Sequence, residues 1–278
     1  MGNTGNIVET RIARASGHFG EWLQGRLGAN GPIGLVSVQC NEFWVRVART
    51  SSSDFQYAKP LPALGHERAL ALMSELGCAP DGTYSATTNI EAGAGLGAST
   101  ASLLAFAKAS GATDLSIDQI AKALVAVEGA SDPLMYPDFD RLLWASREAR
   151  ILERLAPPPK FEILGGCWGN PSKTDPKDQN FPDVSDLVDA WKTATLSGEV
   201  KRVAEISTES HHRTTALRNR AAEPTDAILN DLGALGVLRA HTGSARGFLF
   251  KRGTAPSSGL HQLQEAGYSN PIQFLTGG

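Results

Sequence analysis

Glu91-Ala-Gly-Ala-Gly-Leu-Gly-Ala-Ser-Thr-Ala-Ser102 is the stretch on which the reading of this chain turns. Gly93, Gly95 and Gly97 remove side chains where backbone N–H groups must approach a ligand closely. A strand is expected before the stretch, over Thr83 to Ile90, and a helix after it, over Leu103 to Ser110. In that order the helix turns its positive end toward the loop, for which phosphate is the natural ligand. No lysine follows Gly97, so this is not a Walker loop, and the G-x-G-x-G spacing is not the dinucleotide G-x-G-x-x-G. The candidate phosphate contacts are Gly93, Ala94, Gly95, Leu96, Gly97, Ala98, Ser99 and Thr100. The competing reading is a flexible turn ahead of a helix.

Working outward, Asn6 to Ala15 and Leu35 to Ala48 read as extended, the second with Phe43, Val45 and Val47 on one face. The glycine-dense segment between them, Ser16 to Gly34, is expected to be a loop. Ala69, Leu72, Met73 and Leu76 fall on one face of a helix over His66 to Leu76, with Gly77 as its stop. Ser116 and Gln119 have capping-box spacing ahead of a helical stripe at Ile117, Ile120, Leu124 and Val127 that ends near Glu128-Gly129. A longer helix is expected from Asp138 to Leu155. Ala156-Pro-Pro-Pro-Lys160 then marks a boundary between domains 1–157 and 158–278. The second part opens with a strand at Phe161 to Leu164 and a polar, mobile surface loop from Asn170 to Pro182. Helices follow from Val184 through Ala204 and from Thr225 to Leu235. Val237 to Phe250 reads as two short strands around a small-residue turn.

The totals fit a small-molecule enzyme. The 278 residues suffice for one large domain or two ordinary ones. With 26 basic and 29 acidic residues and no long run of either sign, no nucleic-acid groove or membrane-binding face is expected. Cys40, Cys78 and Cys167 are far apart and lack zinc-site or disulfide spacing, which points to a reduced compartment. The first ten residues have no apolar signal-peptide core and no stretch has the length of a membrane span, so a cytoplasmic location is expected. Whether the chain is a monomer or a homodimer stays open.

Gly93 to Ala101 resembles the second motif of the GHMP kinases (galactokinase, homoserine kinase, mevalonate kinase, phosphomevalonate kinase), usually Gly-x-Gly-Leu-Gly-Ser-Ser-Ala. Ser99 falls on the second serine, whereas Glu91 stands where proline is usual and Ala98 replaces the first serine. Ser16-Gly-His-Phe-Gly-Glu-Trp-Leu-Gln-Gly25 resembles the first motif, and Arg239-Ala-His-Thr-Gly-Ser-Ala-Arg-Gly247 resembles the third more loosely; a plain hairpin turn is the alternative there. Val127-Glu-Gly-Ala-Ser-Asp-Pro133 is similar to the segment that supplies a magnesium-binding glutamate and a catalytic aspartate.

The resemblance implies an α+β, two-domain GHMP kinase fold: a ribosomal protein S5 domain 2-like N-terminal domain and a ferredoxin-like C-terminal domain, with the site between them. It implies ATP and Mg²⁺, with Ser99 and Glu128 on the metal and Asp132 on the acceptor hydroxyl. His18, Glu21, Gln24, Thr242, Gly243 and Ser244 would then face the acceptor. Phosphoryl transfer does need one carboxylate for the metal and another for the attacking hydroxyl. Taken alone, Glu128 could equally be a solvated helix residue and Asp132 a turn former before proline. The lysine some of these kinases carry in the first motif is absent; His18 is the nearby titratable substitute, or a structural hydrogen-bonding residue. Arg26, Arg239 and Arg246 lie near the motifs as candidate partners for a carboxylate.

Gly20-Glu-Trp-Leu-Gln-Gly25 and Ala98-Ser-Thr-Ala-Ser102 are most similar to the corresponding motifs of the L-threonine kinases of cobalamin biosynthesis and propanediol utilisation. That similarity implies phosphorylation of L-threonine to O-phospho-L-threonine. A kinase for another small alcohol, such as homoserine or an isoprenoid intermediate, and a non-catalytic nucleotide-binding relative are the alternatives.

Overall fold

A computed structural model describes residues 9–59, 63–172, 175–218 and 223–277. Asn6 to Val8 of the expected first strand, and 173–174 of the expected 170–182 loop, lie outside them.

Two long antiparallel strands organise the molecule, β1 (Thr10–Arg26) and β2 (Ile33–Thr50). The expected loop over Ser16 to Gly34 is therefore corrected: the chain stays extended to Arg26, and only the turn 27–32 separates the strands. The glycines act instead on register. It slips between Ser16 and His18, between His18 and Glu21, and between Glu21 and Leu23, with Gly20 at φ +70°. Such bulges re-aim side chains beside active sites.

β2 carries β4 (Thr83–Thr88) along its second half and β5 (Leu142–Ala145) along its first, while β3 (Gln56–Lys59) lies parallel to β4. β5 forms a hairpin with β6 (Arg150–Arg154), which replaces the helix expected over Asp138 to Leu155. Helix-favouring residues there are overruled by pairing: Gly34 with Ala145 and Leu35 with Trp144 extend the sheet, and Ala149, at φ +48°, makes the turn. A single 3₁₀ turn, Phe139–Arg141, remains of the helix.

On the other side of β1 lie β8 (Gly236–Arg239), β9 (Ala245–Lys251), β7 (Phe161–Cys167) and β10 (Ser269–Leu275), giving the order β10-β7-β9-β8-β1-β2-β4-β3. β1 meets β8 at the single pair Glu21 and Arg239.

Seven helices complete the described residues: α1 (His66–Glu75), α2 (Ala98–Ser110), α3 (Ile117–Glu128), α4 (Ser185–Ser197), α5 (Val200–Leu217), α6 (Thr225–Asp231) and α7 (Gly259–Glu265). α1 and α3 match expectation, and α3 has its capping box, Ser116 accepting from Gln119 N–H while the Gln119 side chain accepts from Ser116 N–H. α2 begins five residues earlier than expected, directly off the glycine loop. It is buried on nearly all sides, as its Ala, Leu and Phe run requires. α6 ends before the expected Leu235, its chain turning at Gly233.

Trp22 is wholly buried, its ring 5.4 Å from Phe161 and 5.7 Å from Trp191. It ties β1 to β7 and α4 and takes no part in the cavity below. Among the described residues no helix is long and apolar enough to cross a membrane.

Candidate active site

The glycine loop is held from three directions through its carbonyls. Gly93 C=O accepts from Ser172 N–H, Ala94 C=O from Ala245 N–H at 2.9 Å, and Leu96 C=O from His18 N–H at 3.2 Å. Gly93, Gly95 and Gly97 all sit at positive φ, between +75° and +84°. Two of them are also approached too closely for any side chain: a Cβ on Gly95 would lie 2.2 Å from Ala240 Cβ, and one on Gly97 2.6 Å from His18 Cδ2. From the opposite side Gly243 packs on Ala94, where a Cβ would come within 2.3 Å of the backbone. The segments around His18, Gly95 and Gly243, more than two hundred residues apart along the chain, thus interlock, and a cavity of about 450 Å³ opens between them.

At the loop end of this cavity, α2 presents its first turn with Gly97 as the N-cap and no acidic residue to compete for an anion. Ser99 Oγ donates to Glu128 Oε2 at 2.6 Å, and Thr100 Oγ1 donates to Glu128 Oε1 at 2.8 Å. Thr100 Oγ1 also accepts from Asp132 N–H, fixing the second carboxylate relative to the first. Arg68 of α1 reaches in, 3.9 Å from Glu128 Oε2. Burial pushes the Glu128 carboxyl up to about 8 despite the Ser99 and Thr100 hydroxyls. A buried carboxylate this short of positive charge, beside a hydroxyl oxygen, is a hard-oxygen donor set that fits Mg²⁺.

The bulge in β1 turns a second group inward. His18 Nε2 lies 3.2 Å from Asp132 Oδ2, and its Nδ1 lies 3.1 Å from Gly20 C=O and 3.7 Å from Glu21 Oε1. Burial of the ring opposes its charge, but Asp132, then Glu21 and the Gly20 carbonyl, outweigh it and raise His18 to about 9. Burial raises the Glu21 carboxyl to about 8, against the pull of His18. Near neutrality His18 keeps its proton beside Asp132, and Glu21 next to it stays protonated.

The far wall comes from the segment 175–182. Phe181 stacks on His241 with ring centroids 3.9 Å apart and planes 7° off parallel, and the Arg147 guanidinium lies 5.0 Å from the Phe181 centroid. Arg147 donates to the carbonyls of Pro176 and Asp178, and Arg218 pairs with Asp178. The expectation of a mobile surface loop is corrected to this extent: the carbonyls of Pro176 and Asp178 are bonded by Arg147, and Ser172, Pro176 and Phe181 line the cavity.

No protein-family model and no curated protein matches the sequence. Solved structures do match the fold along its whole length. Mevalonate kinase from L. major, in complex with R-mevalonate, superposes with a TM-score of 0.68 at 13% identity, covering 99% of this chain and 98% of that one. Mevalonate kinase from methicillin-resistant Staphylococcus aureus gives 0.65 at 15% identity over 97% and 99%. A putative homoserine kinase from Listeria monocytogenes gives 0.64 at 13% over 96% of each. The fold is that of the GHMP kinases. At these identities the likeness establishes the α+β architecture and no more.

Within this GHMP kinase fold, Asp132, Glu128, His18, Glu21, Gln24, Thr242, Gly243 and the loop residues other than Ala94 line one cavity. Ala94 lies behind the loop, wholly buried, and Ser244 lies behind the third motif, its side chain toward Cys167; neither reaches the cavity. The arginines near the motifs are engaged elsewhere: Arg26 with Gly31 C=O and Gln179, Arg246 with Glu223, and Arg239 with Thr215 and Ala240 C=O. Sequence reasoning missed Arg68, Arg147, Phe181 and His241. Arg68 is polar on an amphipathic helix and carries no signal, and Arg147 was hidden inside a segment read as helix.

Proposed function

We propose that this protein transfers the γ-phosphoryl group of ATP to the hydroxyl of a small alcohol, with L-threonine as the acceptor. One observation carries the reading: a glycine loop at a helix N-terminus, a Ser99–Glu128 oxygen pair and a His18–Asp132 ion pair open onto the same cavity.

The backbone N–H groups of α2's first turn hold the phosphates, with Arg68 adding charge at that end. Ser99 and Glu128 would hold Mg²⁺, whose chemistry is to neutralise the phosphate oxygens as charge moves onto the leaving group. Asp132 accepts the acceptor's hydroxyl proton. His18 Nε2 pairs with Oδ2 and fixes the orientation of the carboxylate. The acceptor oxygen forms its bond to γ-phosphorus as the bridging P–O bond to the β-phosphate breaks. ADP leaves with that electron pair, and the proton on Asp132 passes to solvent. The absent first-motif lysine is answered by His18, the one cation bonded to Asp132 among the described residues.

Supporting L-threonine over a sugar are the motif similarities and the size and polarity of the acceptor end, bounded by Glu21, Gln24 and His241. The test is ADP release from Mg-ATP against L-threonine, L-serine, homoserine, aminopropanol, galactose and mevalonate. L-threonine-dependent release is expected. Release with only another acceptor would retain the kinase and remove the substrate, and silence across the panel would remove both.

A further inference from the structure

Glu21 and Gln24 are 7% and 8% exposed, yet Glu21 Oε2 and Gln24 Oε1 have no hydrogen-bond partner while their side chains line the cavity. Buried acceptors left without donors are costly, on the order of 1–3 kcal/mol each, and are rare unless a ligand completes them. Both lie on β1 beside the His18–Asp132 pair, where the reacting hydroxyl must sit. Arg147 lines the same cavity, held by its Nε and Nη2 bonds to two backbone carbonyls. The cavity's volume of about 450 Å³ leaves room among Glu21, Gln24 and Arg147 for a small molecule.

We propose that the acceptor half of the cavity reads a zwitterion: Glu21 and Gln24 take the ammonium, and Arg147 takes the carboxylate, of a small hydroxy α-amino acid. The inference rests on the kinase reading and assigns the residues that read its acceptor. An ammonium replaces the proton on Glu21 and gives both orphaned oxygens a donor. It also balances a pocket whose Asp132 is already matched by His18. Arg147, rigid before the ligand arrives, offers guanidinium to carboxylate at little ordering cost. A neutral sugar would bring no carboxylate to Arg147, and an acid without an amine would bring no donor to Glu21 Oε2 and Gln24 Oε1.

The test measures KM for L-threonine, aminopropanol, which lacks the carboxylate, and hydroxybutyrate, which lacks the ammonium, in wild type, Arg147→Met and Glu21→Gln. Thermal melts confirm that each variant folds. L-threonine should be favoured over either truncated acceptor by more than about tenfold. Arg147→Met should raise KM for L-threonine at least about tenfold more than it raises KM for aminopropanol. Glu21→Gln should weaken L-threonine and aminopropanol at least about tenfold more than it weakens hydroxybutyrate. Equal losses for all acceptors in Arg147→Met would mean that it only anchors the 175–182 segment, and would overturn the carboxylate assignment. A wild-type preference for hydroxybutyrate would overturn the ammonium assignment. Calorimetric titration of L-threonine into the ADP-loaded protein separates the two layers. Binding that Arg147→Met abolishes, without turnover, keeps the recognition and removes the transfer; turnover of other alcohols without L-threonine binding does the reverse.

Discussion

Gly95→Ala is a direct probe of how the cavity is built. Gly95 sits at φ +80°, where a side chain costs about 1–2 kcal/mol. Its added Cβ would lie 2.2 Å from Ala240 Cβ, against ordinary contact from 3.4 Å, so one loop must move by more than an ångström. Forced repacking of that kind costs about 1–3 kcal/mol, for a sum of about 2–5 kcal/mol. At about 2.1 cal/mol/K of unfolding entropy per residue, 278 residues give about 0.6 kcal/mol/K, and the melting temperature falls by about 3–8 °C. Gly253→Ala is the control: φ is +77°, but nothing lies within 4 Å of the new Cβ, so only the conformational cost of about 1–2 kcal/mol applies, or about 2–3 °C. The displaced loop also moves the phosphate cradle against Asp132, and an ångström of misplacement costs about a hundredfold in kcat. Thermal melts and ADP release on both variants read this out. Equal melting temperatures for the two would refute the interlock of the glycine loop with the turn after β8.

Three further expectations follow from the same geometry. His18 has a folded-state pKa near 9, above its unfolded value of 6.5, so its contribution to stability is fully present below about 6.5 and is lost as pH rises through about 9; kcat should fall over the same alkaline limb, and the limb should be missing from the residual activity of His18→Gln. Glu128→Gln removes the carboxylate that accepts from Ser99 Oγ and should raise the Mg²⁺ concentration for half-maximal rate at least about tenfold, read from a metal titration at saturating ATP. Arg246 and Glu223 form an ion pair with both side chains buried, so Arg246→Met strands a carboxylate and should cost about 3–5 kcal/mol in urea unfolding, whereas adding Glu223→Gln should recover much of it.

Much of the site was legible because its chemistry is local in sequence. The glycine loop announces itself through residues whose backbone angles only glycine takes comfortably, and Ser99, Glu128 and Asp132 follow at fixed offsets on α2 and past α3. What was illegible depends on pairing across long separations. Leu142 to Ala145 carries no mark of a strand until β2 offers Gly34 and Leu35, so the hairpin read as helix and Arg147 lost its place on the cavity wall. Ser16 to Arg26 read as loop because glycines break strands on average; here they slip the register and aim His18 and Glu21 inward. Trp22 stood in a motif beside substrate-facing residues, and only the meeting of Phe161 and Trp191 around it makes it core.

The central claim is a phosphoryl transfer with Asp132 as base. Purified protein incubated with Mg²⁺, γ-labelled ATP and L-threonine, beside Asp132→Asn, tests it most directly, with the label followed into O-phospho-L-threonine. Labelled product from wild type, reduced about 10²- to 10⁴-fold in Asp132→Asn with nucleotide binding unchanged, is the predicted result. Equal labelling by the variant, or no labelled product from a wild type that binds ATP, would contradict it.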